Sequence, residues 1–491
     1  MDSPLIKLTN LFFKYNNSED FALSDINLEI RKGEFICVTG SSGGGKTTLA
    51  LALCGFIPHI IEGNFEGNVS FQGYDTDKLT IAEISQLIGL VQQDPENQLV
   101  TSTPIEEIAF GPENLCLSKE EIFERVTRSV SFFNLDSLAF RLINEMSGGE
   151  KQKVAIASIL AMRPKVLVLD EPTAFLDKKS TNELLEVLKD LNQNEGITII
   201  IIDHQPSEFK KYINRMIIVE KSRIKADLDN KSIDYDSFII PRDNLIDIQS
   251  IKAKTSLKSL IRIRDLNIVL NNRKILKNIN LNIKPGLIYG LIGLNGSGKT
   301  TLLQSILNLI PIQKNIFYND QTISEIPTYK LANDFGLVFQ NPNHQIFEKT
   351  LMKEILFAPR NFKQNLNDAS MKAEILLSEV KLEQYSNRTP FNLSYGEKQR
   401  LNICSIEIYE PKLLLLDEPF IGQDSKNVTF LLNLLKKRKM DGKTTIIVSH
   451  RPELYDIVDL FLVLDNGKLL FEGNPTEVIS FFQQEDRGFF I

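Results

Sequence analysis

One pattern occurs twice in this chain and constrains everything else. Gly40-Ser41-Ser42-Gly43-Gly44-Gly45-Lys46-Thr47 and Gly293-Leu294-Asn295-Gly296-Ser297-Gly298-Lys299-Thr300 both read G-x-x-x-x-G-K-T. Each follows an apolar run with strand character, Phe35–Val38 and Leu287–Ile292, and each opens a helix-like run at Thr48 or Thr301. That strand–loop–helix context makes the pattern a phosphate-binding loop. Glycines let backbone N–H groups close around phosphate oxygens. The helix N-terminus adds partial positive charge and the lysine a full one. Two such loops imply two bound nucleotides.

The second copy can be laid along the first. Lys46 maps to Lys299 at an offset of 253, Gln93 to Gln340, Ser147 to Ser394 and Asp170 to Asp417 at 247, and His204 to His450 at 246. A six-residue difference falls between the lysine and the glutamine. The chain is therefore a duplicated domain, with residues 1–225 as the first copy, 226–257 as a linker and 258–491 as the second. Each copy alternates β-branched runs with helical periodicity. The expected fold class is α/β: a mostly parallel sheet core, with a helical subdomain over residues 94–161 and 341–408. The linker is polar and weakly periodic. Fully extended it reaches ~100 Å; as a coil it spans ~30 Å. Either length lets the halves face each other at high effective concentration.

Bulk properties exclude several classes. With 491 residues the chain has room for two cores of its own. Net charge is −7 and no basic run stands out, so nucleic acid is not an expected partner. No apolar stretch approaches the ~18 residues of a membrane span, and the start lacks the features of a signal peptide. Cys37, Cys54, Cys116 and Cys404 show neither metal spacing nor a disulfide framework. The expectation is a soluble, cytosolic protein.

Other repeated groups each have a plain structural reading and a chemical one. Val166–Glu171 and Leu413–Glu418 are apolar strands ending in two acids. They could be buried strands with exposed carboxylates. Downstream of a phosphate loop, Asp170 and Asp417 are placed to hold Mg²⁺ together with Thr47 and Thr300, and Glu171 and Glu418 to polarise an attacking water. Ser147-Gly148-Gly149-Glu150 and Ser394-Tyr395-Gly396-Glu397 precede amphipathic helices. Ser-x-x-Glu is a capping box, and a serine with free N–H groups at a helix start also suits a γ-phosphate. His204 and His450 are two of only four histidines, and both follow apolar strands; from there they could reach a terminal phosphate. Gln93 and Gln340 gain weight from matched neighbours over residues 91–98 and 338–345. Tyr15 could stack on adenine, or be an ordinary strand aromatic.

Taken in order, and twice, these motifs resemble the ATP-binding-cassette ATPases over nearly the whole chain. The resemblance implies that ATP and Mg²⁺ are bound, with Gln93 and Gln340 as further metal ligands. It also implies head-to-tail pairing of the two halves. One site would join Gly40–Thr48, Gln93, Asp170, Glu171 and His204 to Ser394–Glu397. The other would join Gly293–Thr301, Gln340, Asp417, Glu418 and His450 to Ser147–Glu150.

A narrower likeness follows each glutamine. Asp94–Gln98 with Ile108–Asn114, and Asn341–Gln345 with Leu356–Asn361, resemble the ATPases of energy-coupling-factor transporters, which import vitamins or cobalt and nickel. That likeness implies a peripheral protein on the cytoplasmic face of the cell membrane. Its partners would be a transmembrane coupling subunit and a substrate-binding membrane subunit. Leu99, Val100, Ile346 and Phe347 look exposed and suit a groove for a partner helix.

Two departures matter. Tyr395 replaces the first signature glycine, which is expected to place a bulky group against nucleotide. Leu270 falls where Tyr15 stands in the first half. Two active but unequal sites are expected. The rival readings are a sugar-import ATPase, whose second cassette is usually the eroded one, and a tandem-cassette ribosome-binding factor, whose linker is longer and basic.

Overall fold

The computed structural model describes residues 3–16, 18–238, 259–270 and 272–484. The chain divides into two units, Met1–Ile239 and Ile240–Ile491. Residues 226–238, read from sequence as the start of the linker, belong with the first unit. Strand β10 (Arg223–Asp229) pairs antiparallel with β9 (Arg215–Glu220), and Tyr235 and Phe238 pack on its core. The rest of that linker, residues 239–257, lies outside the described residues.

The described residues of the first unit form two sheets. An antiparallel one has the order β2-β1-β4-β5, from β1 (Ile6–Tyr15), β2 (Leu23–Ile30), β4 (Gly63–Phe71) and β5 (Tyr74–Asp75). The other has six strands in the order β10-β9-β3-β8-β7-β6, from β3 (Phe35–Thr39), β6 (Ile88–Val91), β7 (Val166–Asp170), β8 (Thr198–Ile202), β9 and β10. It is parallel except at the β10 edge. Its central strands are buried on both faces, which is why they read as unbroken apolar runs. Successive side chains still point to opposite sides. Leu167, Leu169, Ile199 and Ile201 join the core beneath the helices, while Val166, Val168, Ile200 and Ile202 join the core shared with the antiparallel sheet. Full burial of each such side chain contributes about 1.5–3 kcal/mol.

The second unit repeats this topology. Its antiparallel sheet has the order β12-β11-β14-β15, from β11 (Ile261–Leu270), β12 (Arg273–Ile283), β14 (Ile316–Tyr318) and β15 (Gln321–Thr322). Its six-stranded sheet has the order β16-β17-β18-β13-β19-β20, from β13 (Ile288–Ile292), β16 (Phe335–Val338), β17 (Leu413–Asp417), β18 (Thr444–Val448), β19 (Leu460–Asp465) and β20 (Lys468–Gly473). The antiparallel sheets are absent from the sequence-based expectation, because β1 and β11 are twisted by register shifts that break their alternation.

The six-residue difference has a clear place. β4 has nine residues and pairs along β1 as far as Tyr15 opposite Gly63, whereas β14 has three and pairs only with Ile261–Ile263. Among the described residues the far end of β11, with Leu270, therefore lacks the third strand that flanks Tyr15.

The expected helical subdomains are present. In the first unit they comprise helices Pro104–Asn114, Lys119–Phe132 and Gly148–Ala161; in the second, Leu351–Asn361, Leu366–Glu379 and Tyr395–Glu407. The helix Lys178–Glu195 shows why such segments are helical. Asp177 caps it by accepting from the Ser180 N–H at 2.8 Å, Leu184, Leu188 and Leu191 line its buried face, and Gly196 ends it at φ 69°.

Candidate active sites

Each site is assembled at the C-terminal ends of parallel strands. β3 runs into the loop 40–45 and the helix Lys46–Leu53; β13 runs into 293–298 and the helix Lys299–Ile306. The last glycine of each loop must be glycine. Gly45 and Gly298 sit at φ 105° and 103° as helix N-caps, and a Cβ on Gly45 would lie 2.5 Å from the Ala22 carbonyl oxygen. The lysines fold over their loops. Lys46 Nζ donates to the carbonyls of Gly40 (3.0 Å) and Ser41 (2.9 Å), and Lys299 Nζ to those of Gly293 (2.7 Å) and Leu294 (3.1 Å).

β7 lies two strands from β3, and β17 two strands from β13, which carries the acids to the loops. The Thr47 hydroxyl donates to Asp170 Oδ2 at 2.8 Å, and the Thr300 hydroxyl to Asp417 Oδ2 at 2.6 Å. Burial pushes Asp170 up to about 7, helped by Glu171 and opposed by Thr47, Lys46 and His204. Burial raises Asp417 as well, against Thr300 and Lys299. Hydroxyl and carboxylate oxygens form a hard donor set of the kind Mg²⁺ takes while keeping water and phosphate oxygens as its other ligands. Among the described residues no cluster of three or more His, Cys, Asp or Glu could hold a metal by itself.

Glu171 and Glu418 stand one residue beyond the strands, both in the left-handed region at φ 48° and 46°. Their N–H groups are fixed on the carbonyls of Ile202 (2.8 Å) and Val448 (3.1 Å). Two non-glycine residues held there at the same place in both halves mark strain kept at a working site. Their surroundings differ. Gln93 Nε2 donates to Glu171 Oε2 at 2.9 Å, and His204 Nε2 lies 3.2 Å from Oε1. His204 Nδ1 lies 3.2 Å from the Gly40 carbonyl oxygen, so the imidazole links glutamate and loop. Burial favours the neutral acid at Glu171, but His204, Lys46 and Gln93 together outweigh it and hold the carboxyl below its usual range. In the second unit His450 Nε2 is 3.9 Å from Glu418 Oε1. Burial pushes Glu418 up to about 8, with Lys299 opposing and Asp417 adding.

Ser147 and Ser394 form complete capping boxes. Their N–H groups donate to Glu150 (2.7 Å) and Glu397 (2.8 Å), and their hydroxyls accept the N–H groups of Glu150 (3.3 Å) and Glu397 (3.4 Å). The plain reading of that motif is thus realised within each unit. Tyr395 departs from expectation: its ring is buried in its own unit and its hydroxyl donates to the Gln340 carbonyl at 2.6 Å. Tyr15 packs edge-on against Phe13, with its hydroxyl 3.1 Å from Thr48 Oγ1.

The turn after each glutamine is also built. Buried Glu107 accepts the N–H groups of Val100 (3.0 Å) and Thr101 (2.8 Å); buried Glu354 accepts those of Phe347 (3.1 Å) and Glu348 (2.8 Å). Val100 and Phe347 are exposed. Leu99 and Ile346 are not the exposed groups expected: Leu99 packs on the first unit's core and Ile346 is buried in the subdomain core. Sequence reasoning missed Glu107, Glu354 and Asp203. Buried Asp203 accepts from the Thr173 hydroxyl at 3.3 Å beside Glu171. Its adjacency to His204 was the available signal.

Residues 23–174 and 276–421 each match the family model described as ABC transporter. The chain is 33% identical to a Methanosarcina mazei protein described as an ABC transporter ATP-binding protein, over 97% of this chain and 91% of that one. It is 33% identical to a Bacillus subtilis protein described as an HMP/thiamine import ATP-binding protein, over 97% and 92%. Among solved structures, cbiO1 of Clostridium perfringens, described as part of the ABC transporter complex cbiONQ, is 31% identical, with a TM-score of 0.43 over 47% of this chain and 90% of that one. The chain belongs to the ABC transporter family. It is an ATPase with two tandem ATP-binding cassettes, of the kind that works with membrane subunits. No helix among the described residues is long and apolar enough to cross a membrane.

Proposed function

We propose that this chain energises an importer of the energy-coupling-factor type, carrying a vitamin-like or transition-metal substrate, by hydrolysing MgATP at two composite sites. The observation that carries the hydrolytic part is the Thr–Asp pair beside a strained glutamate, repeated in both units. Thr47 with Asp170, and Thr300 with Asp417, would hold Mg²⁺, with Gln93 and Gln340 completing the protein ligands. The ion would offset charge on the β- and γ-phosphates. Lys46 and Lys299 bind the same phosphates. Glu171 and Glu418 take the proton of the attacking water, and His204 and His450 orient the glutamate and the γ-phosphate.

In this reading Ser394–Glu397 closes the first loop's site and Ser147–Glu150 the second's. The two sites work at unequal rates, because Gln93 and His204 lie within 3.2 Å of Glu171, whereas His450 stands 3.9 Å from Glu418. The importer part is supported by the HMP/thiamine import relative, similar over almost the full chain, and by the exposed Val100 and Phe347 beside each glutamine loop. The partners would be a transmembrane coupling subunit and a substrate-binding membrane subunit, with this chain peripheral on the cytoplasmic face.

The test is reconstitution. Co-expressed with the membrane proteins encoded beside it and placed in liposomes, the chain should drive ATP-dependent uptake, with HMP and thiamine as the first cargoes to try. A chain that hydrolyses ATP but copurifies with none of those membrane proteins would sink the importer reading.

A further inference from the structure

The first unit has a second cleft, of about 370 Å³, at the opposite end of β7 from Asp170. Five cations line it: Lys32, Arg125, Arg128, Arg163 and Lys165, in a chain whose net charge is −7. Among the described residues Glu195 is the one carboxylate in the lining. Three arginines have carboxylate partners: Arg125 pairs with Glu121, Arg128 with Glu195 and Arg163 with Glu124. Neither lysine has a carboxylate partner among the described residues. Lys165 Nζ donates to Gln72 Oε1 at 3.3 Å and lies over the Phe71 ring. Two lysines beside forked guanidinium groups with spare N–H donors match a ligand bearing several phosphate oxygens. Leu5, Leu160 and Ile197 supply an apolar wall. The volume is in the range of small-molecule sites, roughly 300–1,000 Å³.

The second unit provides an internal control. Lys32 corresponds to Pro285, Arg128 to Ile375 and Arg163 to Glu410. Arg163 and Glu410 share the same left-handed backbone, at φ 57° and 56°, so the exchange reverses charge at one fixed point. Glu410 there gathers both Lys372 and Lys443. What both halves keep is structural: Arg125 donates to the Ala161 carbonyl at 3.2 Å, and Lys372 to that of Ile408 at 2.9 Å, each closing the end of the signature helix. The helix end thus needs one cation. Lys32, Arg128 and Arg163 are additional, and only the first half has them.

We propose that this cleft binds a small anion carrying a diphosphate, separate from the two ATP sites. Bound there, it would lie at the start of β7, four residues or about 13 Å along the strand from Asp170.

The experiment is titration calorimetry with inorganic pyrophosphate on the full chain carrying Lys46→Ala and Lys299→Ala, which weakens both phosphate loops. One pyrophosphate per chain should still bind, more weakly as salt rises. Adding Lys32→Glu and Arg163→Glu should weaken it at least tenfold. In the otherwise native chain the same two changes should leave basal ATP hydrolysis as it was. Should that charge reversal impair folding, Arg128→Ile places the second unit's residue there and should still weaken binding severalfold. ADP in place of pyrophosphate distinguishes the sources: tighter binding of ADP identifies a nucleotide, with its base on the apolar wall, and equal binding identifies the diphosphate alone. Absence of binding, or binding unchanged by both sets of substitutions, overturns the proposal.

Discussion

The Tyr395 hydroxyl donates to the Gln340 carbonyl at 2.6 Å, joining the signature of the second unit to the glutamine loop of the same unit. Two more bonds run parallel: Lys398 Nζ to Asn343 Oδ1 at 2.9 Å and Asn402 Nδ2 to the Pro342 carbonyl at 3.0 Å. In the first unit the matching positions are Gly148, Lys151 and Ala155, and of these Lys151 keeps a link, an ion pair with Glu96. Under head-to-tail pairing, this signature serves site one and this glutamine loop serves site two. Tyr395→Phe removes one buried hydrogen bond, costing about 1 kcal/mol, and should change hydrolysis at site two severalfold. Tyr395→Gly also exposes the signature backbone and should change both sites. Hydrolysis in a Glu418→Gln background reports site one, and in a Glu171→Gln background site two. A Tyr395→Phe effect confined to site one would contradict this link.

Lys46→Ala and Lys299→Ala should each reduce ATP hydrolysis, and the pair together by about 100-fold or more, because each removes a fixed charge from the transition state. Steady-state phosphate release by the purified complex measures this. Wild-type turnover in the double variant would mean that the phosphate loops are misassigned.

Glu171→Gln and Glu418→Gln should retain ATP binding and slow turnover, since the amide keeps the volume but takes no proton. Of the two, Glu171→Gln should be the more damaging: it replaces the carboxylate that already meets Gln93 at 2.9 Å and His204 at 3.2 Å. Filter binding of labelled ATP beside single-turnover hydrolysis separates the two quantities. Weakened binding with unchanged turnover of bound ATP would refute the role.

Val100→Glu with Phe347→Glu should release the chain from its membrane subunits in detergent while sparing ATP binding. Phe347 stacks edge-on against Phe357, with ring centroids 4.6 Å apart, and both rings reach solvent. Leu99→Glu is a poor probe, because Leu99 packs on the core and its change would unsettle the fold. Full copurification of the Val100/Phe347 double variant would locate the docking surface elsewhere.

Arg438→Ala should destabilise the second unit by about 3–5 kcal/mol, because it leaves Glu407 buried without its partner. Arg438 is 1% exposed, pairs with Glu407 and donates to the Pro411 carbonyl at 2.8 Å. Urea unfolding of the full chain should show one transition shifted to lower denaturant. Unchanged midpoints would show that the pair contributes nothing net.

The sequence by itself determined the parts whose signal is local. A phosphate loop between an apolar run and a helix, two acids ending a buried strand, and a Ser-x-x-Glu cap each depend on neighbours within a few residues, and their repetition supplied the register of the duplication. The parts decided by tertiary structure depend on groups far apart in the chain. Glu171 and Glu418 have the same flanking residues in sequence, yet Gln93 and His204 close on one while His450 stands 3.9 Å from the other. Tyr395 looked like an obstruction because its place in the motif faces outward; packing turned it inward to Gln340. Leu99 and Val100, equally apolar, were sorted by the backbone that Glu107 holds. The antiparallel sheets and the basic cleft at the start of β7 were illegible for the same reason. Each is made by segments tens of residues apart, whose approach is set by the packing of whole layers and not by any run of sequence.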